Sequence, residues 1–131
     1  MEANTRSLRV VVAEDDDDMR EVMCELIAGL GVEVDSASSG GELVKLLTDD
    51  RPIDLVVTDV RMPWMTGYSV ALSARNSGLS IPIIIVTAFP DEVLKRQVED
   101  LGSAVLLAKP FRPDELLALV RARLPGAAAL A

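Results

Sequence analysis

The runs RVVVA at Arg9–Ala13, DLVVT at Asp54–Thr58 and PIIIVT at Pro82–Thr87 constrain the fold more than any other feature of the chain. Each is rich in β-branched residues and nearly continuous in apolar ones. Successive side chains of a strand point to opposite faces, so a run without polar alternation leaves no face for water. Strands of this kind belong to parallel sheets covered by helices on both sides. The full set of strand candidates is Leu8–Ala13, Glu33–Ala37, Leu55–Thr58, Ile83–Thr87 and Ala104–Ala108.

The intervening segments carry helical period. Met19, Val22, Met23, Leu26, Ile27 and Leu30 recur at three- and four-residue spacing and form one apolar stripe, stopped by Gly31. Similar stripes run through Leu43–Leu47, through Leu94, Val98 and Leu101 (closed by Gly102), and through Leu116, Leu117, Val120 and Leu124. Pro113 followed by Asp114 and Glu115 suits a helix first turn, where a missing N–H costs nothing and acids meet the positive dipole end. Five strands alternating with five helices predict an α/β domain with a parallel sheet and right-handed crossovers. There is no internal repeat. Residues 1–124 are expected to form the domain, and 125–131 a flexible tail or the start of a linker.

A length of 131 residues fits one domain with its own core. The formal charge of −8 argues against broad nucleic-acid or anionic-membrane binding, and no apolar run approaches the ~20 residues that span a bilayer. The start MEANTRS does not read as a signal peptide. One cysteine, Cys24, allows no internal disulfide and fits a reducing, cytoplasmic setting; its place in the helical pattern reads as a buried structural thiol. The chain has no histidine, so a metal must be held by oxygen and any phospho-histidine must come from a partner.

Parallel strands joined through helices bring their carboxyl ends to one edge of the sheet, where ligands of open α/β folds bind. Here those ends carry Glu14 and Asp15, Asp59, Thr87, and Lys109 with Pro110. Clustered carboxylates with one Lys call for another cation, and oxygen-only ligands suit Mg²⁺. A carboxylate beside Mg²⁺ is a nucleophile toward phosphorus, and a Lys and a hydroxyl can stabilise the transferring oxygens. The chemistry of this set is phosphoryl transfer.

With these residues in place, the chain resembles a receiver domain of the two-component response regulators, of the chemotaxis-type single-domain kind, over about Leu8 to Leu124. The matching motifs are VVVAED at Val10–Asp15, VVTDVRMPWMTG at Val56–Gly67, IIIVTA at Ile83–Ala88 and LLAKPF at Leu106–Phe111. The resemblance implies a flavodoxin-like fold with strand order 2-1-3-4-5. It implies that Asp59 is the phosphoacceptor. Glu14, Asp15 and Asp59 would hold Mg²⁺, Asp15 directly and Glu14 through water, with the backbone carbonyl of Arg61 as a further ligand. Thr87 would bond the phosphoryl group and Lys109 would pair with it. Pro110 matches a proline that often follows a cis peptide bond, which would aim Lys109 into the site.

The implied partners are a histidine kinase or histidine phosphotransfer protein and an unspecified downstream protein. Neither direct nucleic-acid contact nor membrane insertion is implied, while a homodimer through the face of the last two helices is allowed. The chain departs from the family pattern at Leu106, where the family usually carries an aromatic or histidine that relays the switch. Arg61 and Phe89 occupy the two positions flanking the phosphoryl group, and a bulky Phe89 is expected to slow hydrolysis. Met62, Pro63 and Gly67 read as loop-shaping, and Trp64 as loop packing or a partner contact. Within the acid run, Asp16, Asp17 and Asp18 read as cap and first turn of a helix. Two rivals stand beside the phosphoacceptor switch. One is a phosphate-independent scaffold with the same fold; the other is a Mg²⁺-dependent aspartyl phosphohydrolase, for which no insertion offers a substrate pocket.

Overall fold

The computed structural model describes residues 7–61 and 66–126. Five strands alternate with five helices: β1 (Arg9–Ala13), α1 (Asp17–Ala28), β2 (Glu33–Ala37), α2 (Gly40–Leu47), β3 (Leu55–Asp59), α3 (Gly67–Asn76), β4 (Ile83–Thr87), α4 (Glu92–Leu101), β5 (Ala104–Ala108) and α5 (Pro113–Arg123). All the pairings are parallel, in the order β2-β1-β3-β4-β5. This is the flavodoxin-like arrangement expected from the apolar runs and the motifs.

Alternation along the central strands explains why they read as unbroken apolar runs. Val10, Val12, Leu55, Val57, Ile84 and Val86 face one way, into a core shared with Met23 and Ile27 of α1 and Leu116 and Val120 of α5. Val11, Val56, Ile83 and Ile85 face the other way, against Leu43 of α2, Val70 of α3, and Leu94 and Val98 of α4. Each such side chain removed from water contributes about 1.5–3 kcal/mol of hydrophobic stabilisation. Both faces are therefore needed, and a polar substitution on either would open one of the two cores.

Local signals set the helix ends. Asp16 caps α1 by accepting the Met19 N–H at 2.9 Å, with Asp17 and Asp18 in the first turn, as the acid run predicts. Pro113 opens α5, and the Glu115 carboxylate accepts the Arg112 N–H at 2.8 Å. The α1 stripe departs from expectation in three places. The helix ends at Ala28, and Leu30 reaches the core from the following turn, before Gly31 (φ 87°) redirects the chain into β2. Val22 is exposed rather than in the stripe, because its position rotates past the edge of the buried face. Cys24 is half-buried rather than buried, packed against the periphery of the α1/α5 core; burial pushes its thiol pKa up.

Candidate functional site

The carboxyl edge of the sheet collects the polar residues. The chain leaving β1 continues its pairing for one more residue, Glu14 N–H to Ala37 carbonyl at 3.0 Å, which turns the Glu14 side chain inward. That carboxylate is 1% exposed, while Asp15 beside it is exposed to solvent. Glu14 Oε2 accepts the Asp16 N–H at 3.1 Å, and Arg20 donates to the Glu14 carbonyl at 2.9 Å. The loop that carries the acid run is thereby tied to the first turn of α1.

Asp59 is the last residue of β3 and is buried. Its Oδ1 accepts the Arg61 N–H at 3.1 Å, and its Oδ2 accepts from Lys109 Nζ at 2.8 Å. Lys109 follows β5, where its N–H bonds the Thr87 carbonyl at 2.7 Å, and the Lys109–Pro110 peptide is cis. The same ammonium donates to Glu14 Oε1 at 2.7 Å. One cation thus bridges carboxylates delivered by two adjacent strands, 45 residues apart in the chain.

The charge balance of this cluster is uneven. Glu14, Asp15 and Asp59 each present a carboxylate oxygen within 4.8 Å of the others. Three negative charges against one ammonium leave a net −2. Burial raises the Glu14 pKa, and the Asp59 charge adds to that; the bonds from Lys109 and the Asp16 N–H offset it only in part. Burial also works against the Lys109 charge, but the bonds to Asp59 and Glu14 outweigh it and hold the ammonium pKa above its ordinary value. An all-oxygen cluster with surplus negative charge fits a small hard cation of the Mg²⁺ class.

Thr87 ends β4 and is buried. Its Oγ1 accepts the Phe89 N–H at 3.0 Å, which leaves the hydroxyl proton for a further acceptor. The Phe89 ring is exposed, and the Arg61 guanidinium lies over it at 5.2 Å from the centroid. This cation–π contact links the loops that follow β3 and β4. Leu106 is not at the site. It pairs in register with Ile85 and packs, half-buried, against the α2/α3/α4 core. Met62, Pro63 and Trp64 lie outside the described residues, and α3 begins at Gly67.

A second charged cluster, at the amino edge of the same sheet, escaped the sequence reading. Arg9 reads as the first residue of an apolar run, yet its side chain is only 3% exposed and ion-pairs with Asp35 at 2.7 Å. Asp49 and Glu33 lie at 3.8 and 3.9 Å from it, its backbone N–H donates to Asp54 at 2.7 Å, and Arg51 joins through Glu33 and Asp35. A signal was available in β2, where acids at alternate positions 33 and 35 share the face of Arg9 once the register is parallel.

Comparison with known proteins agrees with this geometry. The family model of the response regulator receiver domain matches residues 10–121. Response regulator MprA of Mycolicibacterium vanbaalenii is 39% identical over 118 residues, covering 89% of this chain and 50% of the relative. The probable transcriptional regulator ycf27 of Cyanidium caldarium is 34% identical over 118 residues, covering 90% of this chain and 47% of its own. The chain thus spans about half the length of these curated relatives. Among solved structures, the chemotaxis protein CheY4 of Vibrio cholerae superposes with a TM-score of 0.80 at 27% identity, over 91% of this chain and all of its own. The receiver domain of the Francisella response regulator 1452 gives 0.81 at 29% identity, over 88% of this chain and 94% of the other. With a parallel sheet in the order β2-β1-β3-β4-β5 and a carboxylate–lysine cluster at its carboxyl edge, this chain belongs to the receiver domains of two-component response regulators.

Proposed function

We propose that the chain is a phosphorylation-controlled switch in which Asp59 takes a phosphoryl group from the phospho-histidine of a histidine kinase or phosphotransfer protein. The observation that carries this reading is the Lys109 ammonium, held 2.7 and 2.8 Å from Glu14 and Asp59, with Thr87 at the neighbouring strand end. An oxygen of the Asp59 carboxylate attacks phosphorus, the P–N bond breaks, and the electron pair leaves on the imidazole of the partner, which then takes up a proton. Lys109 and the Arg61 N–H hold the carboxylate in a fixed orientation before attack. The Thr87 hydroxyl and the Lys109 ammonium then donate to the phosphoryl oxygens.

Glu14, Asp15, Asp59 and the Arg61 carbonyl are the residues that would hold Mg²⁺. When bound, that ion neutralises charge on the transferring group. The added group brings roughly −1.5 to −2 charge, and drawing Thr87 and Lys109 toward it biases a two-state element. The chain is then an acceptor that assists its own phosphorylation and dephosphorylation rather than an enzyme acting on others. Its output is an altered protein-binding surface around α4 and α5, which a second copy can also use.

We assign residues 1–124 to the receiver domain and 125–131 to a tail or linker start. The matched residues, 10–121, and the end of α5 at Arg123 support that boundary, although residues 127–131 lie outside those described. No helix among the described residues is long and apolar enough to cross a membrane, and the single cysteine suits a reducing cytoplasm. The deciding experiment is intact mass after incubation with acetyl phosphate and Mg²⁺. The natural protein should gain one phosphoryl group, and Asp59→Asn should gain none.

A phosphate-independent scaffold is the second reading, favoured by one observation. Leu106 packs in the core, with no ring to swing and no polar atom to bond outward. No Asp59-dependent mass gain would make the scaffold the better account.

A further inference from the structure

Arg75, in the last turn of α3, spends its guanidinium on backbone carbonyls of another helix end. Its Nε donates to the carbonyls of Leu101 at 3.1 Å and Gly102 at 3.2 Å. One terminal nitrogen bonds Gly102 at 2.9 Å and Ser103 at 3.3 Å, and the other bonds Leu79 at 3.0 Å. Among the described residues no carboxylate pairs with it. The carbonyls at the end of a helix lack intrahelical partners and carry the negative end of its dipole. A cation from α3 therefore acts as the carboxyl-terminal cap of α4.

The turn it holds is an unusual one. Gly102 and Ser103 both have positive φ, 71° and 50°, and Ser103 is the sole non-glycine residue with that sign among those described. Serine in this region costs roughly 1–2 kcal/mol of backbone energy, which the surroundings must offset. The Ser103 carbonyl is bound on two sides, by Arg75 and by the Ile83 N–H at 3.0 Å. The carboxyl end of α4 is thus fixed to α3 and to β4 at once.

The amino end of α4 is attached differently. Phe89 donates its N–H to Thr87 Oγ1, Asp91 donates to the Phe89 carbonyl at 2.9 Å, and Asp91 caps the helix through Leu94 at 2.8 Å. A short chain of local bonds therefore runs from the site hydroxyl to the first turn of α4. Val93 in that turn is 68% exposed. One end of α4 follows Thr87, and the other is anchored away from the site.

We propose that Arg75 is the positioning residue of α4, pinning its carboxyl end to α3 so that recruitment of Thr87 displaces the amino end alone. The displaced surface is then the first two turns, around Glu92, Val93 and Arg96. The phosphoryl-driven half of this statement rests on the switch proposed above; the anchor itself does not.

Amide hydrogen exchange, read along α4 with and without acetyl phosphate and Mg²⁺, tests both halves, with intact mass recording phosphorylation in each sample. Without phosphate, Arg75→Met should speed exchange at residues 99–103 by about tenfold or more while residues 91–96 stay near the natural protein. Equal exchange at 99–103 in the two proteins would overturn the anchor whether or not Asp59 accepts phosphate. On phosphorylation the natural protein should change at 91–96 and not at 99–103, and Arg75→Met should change at both ends with an unaltered rate of mass gain. A natural protein that changes equally at both ends, or a variant that keeps the natural pattern, would sink the pivot. A natural protein that gains no mass refutes the switch and the pivot together, and leaves the anchor to stand or fall on the phosphate-free comparison. Should Arg75→Met not fold, Arg75→Lys keeps the charge with fewer donors and should give an intermediate rate at 99–103.

Discussion

The two edges of the sheet each hold a cluster of charged side chains, built to opposite ends. At the amino edge, Arg9 and Arg51 meet Glu33, Asp35, Asp49 and Asp54, and the guanidinium of Arg9 is buried among groups that bond it. At the carboxyl edge Glu14 and Asp59 share one ammonium beside a third carboxylate, Asp15, and the most deeply buried of the three, Glu14, has its pKa raised. The first cluster uses charge to tie the edge strand β2 and the α2–β3 connection to β1. Formal charge sums to −2 in both clusters, but it is distributed in opposite ways. At the amino edge the Arg9 guanidinium is buried and Glu33, Asp35 and Asp49 around it keep 39%, 34% and 40% of their side-chain exposure. At the carboxyl edge the Glu14 and Asp59 carboxylates are buried, with Lys109 alone against them. A buried excess of negative charge suits a site that takes up a cation, and a cation ringed by partly solvated acids suits a structural tie.

The comparison breaks most severely at Arg9. Arg9→Met keeps the apolar stem and removes the cation, taking from Asp49 its guanidinium and leaving Glu33 and Asp35 with Arg51 alone. Removing one partner of a fully buried pair costs about 3–5 kcal/mol. Asp35 and Asp49 keep 34% and 40% of their side-chain exposure and can turn to water, so about 2–4 kcal/mol is expected here. Urea unfolding measures it, and the Mg²⁺ response of the variant should match that of the natural protein. A loss below about 0.5 kcal/mol, the range of ordinary surface substitutions, would place the amino edge among surface ion pairs of little consequence.

At the carboxyl edge the sign reverses. Asp59→Asn takes away one repelling charge and leaves Lys109 with Glu14, so stability without Mg²⁺ should hold or rise. The natural protein should gain about 1.4 kcal/mol at a Mg²⁺ concentration ten times its Kd, by simple linkage, and Asp59→Asn much less. Thermal unfolding across a Mg²⁺ titration reads both effects, and the fluorescence of Trp64, five residues after Asp59 in the chain, supplies a second signal. A flat response by both measures would count against the metal site.

The unequal legibility of the two edges has a physical cause. Strand ends at the carboxyl edge carry polar residues directly after apolar runs, a local contrast that sequence displays. The β1, β3 and β4 spans were legible to within a residue because central strands are apolar on both faces. Arg9 belongs to no local contrast, since its partners arrive from β2 and from the α2–β3 connection, and only the register reveals them. Arg75 was hidden for the same reason, because its acceptors are backbone carbonyls, which no side-chain pattern marks. The exposure of Val22 and the half-exposure of Cys24 depend on how far α5 covers α1, which the stripe alone does not fix.

The acid run offers a finer test of where the site ends. Asp16 caps α1 and also lends its N–H to Glu14, but its carboxylate does not belong to the carboxylate cluster. Asp16→Ala should therefore cost about 1 kcal/mol of stability, as a lost N-cap does, and leave the Mg²⁺ response in place. A lost Mg²⁺ response would extend the site one residue further along the run.

The smallest expected effect lies at the rim, where Phe89 and Arg61 stack across the mouth of the site. An exposed ring over a guanidinium contributes about 0.5–1 kcal/mol at most, so neither residue should matter to folding. The N–H groups of these two residues bond Thr87 and Asp59, so under the proposed switch the pair lies on the path of water toward a phosphoryl group on Asp59. Phe89→Ala removes the ring and frees the guanidinium while leaving both N–H bonds in place. The acyl phosphate should then decay faster by roughly two- to fivefold, a barrier change of under ~1 kcal/mol. Decay of the phosphorylated mass after removal of acetyl phosphate measures it. Equal half-lives for the natural protein and Phe89→Ala would remove the ring from any part in shielding the site.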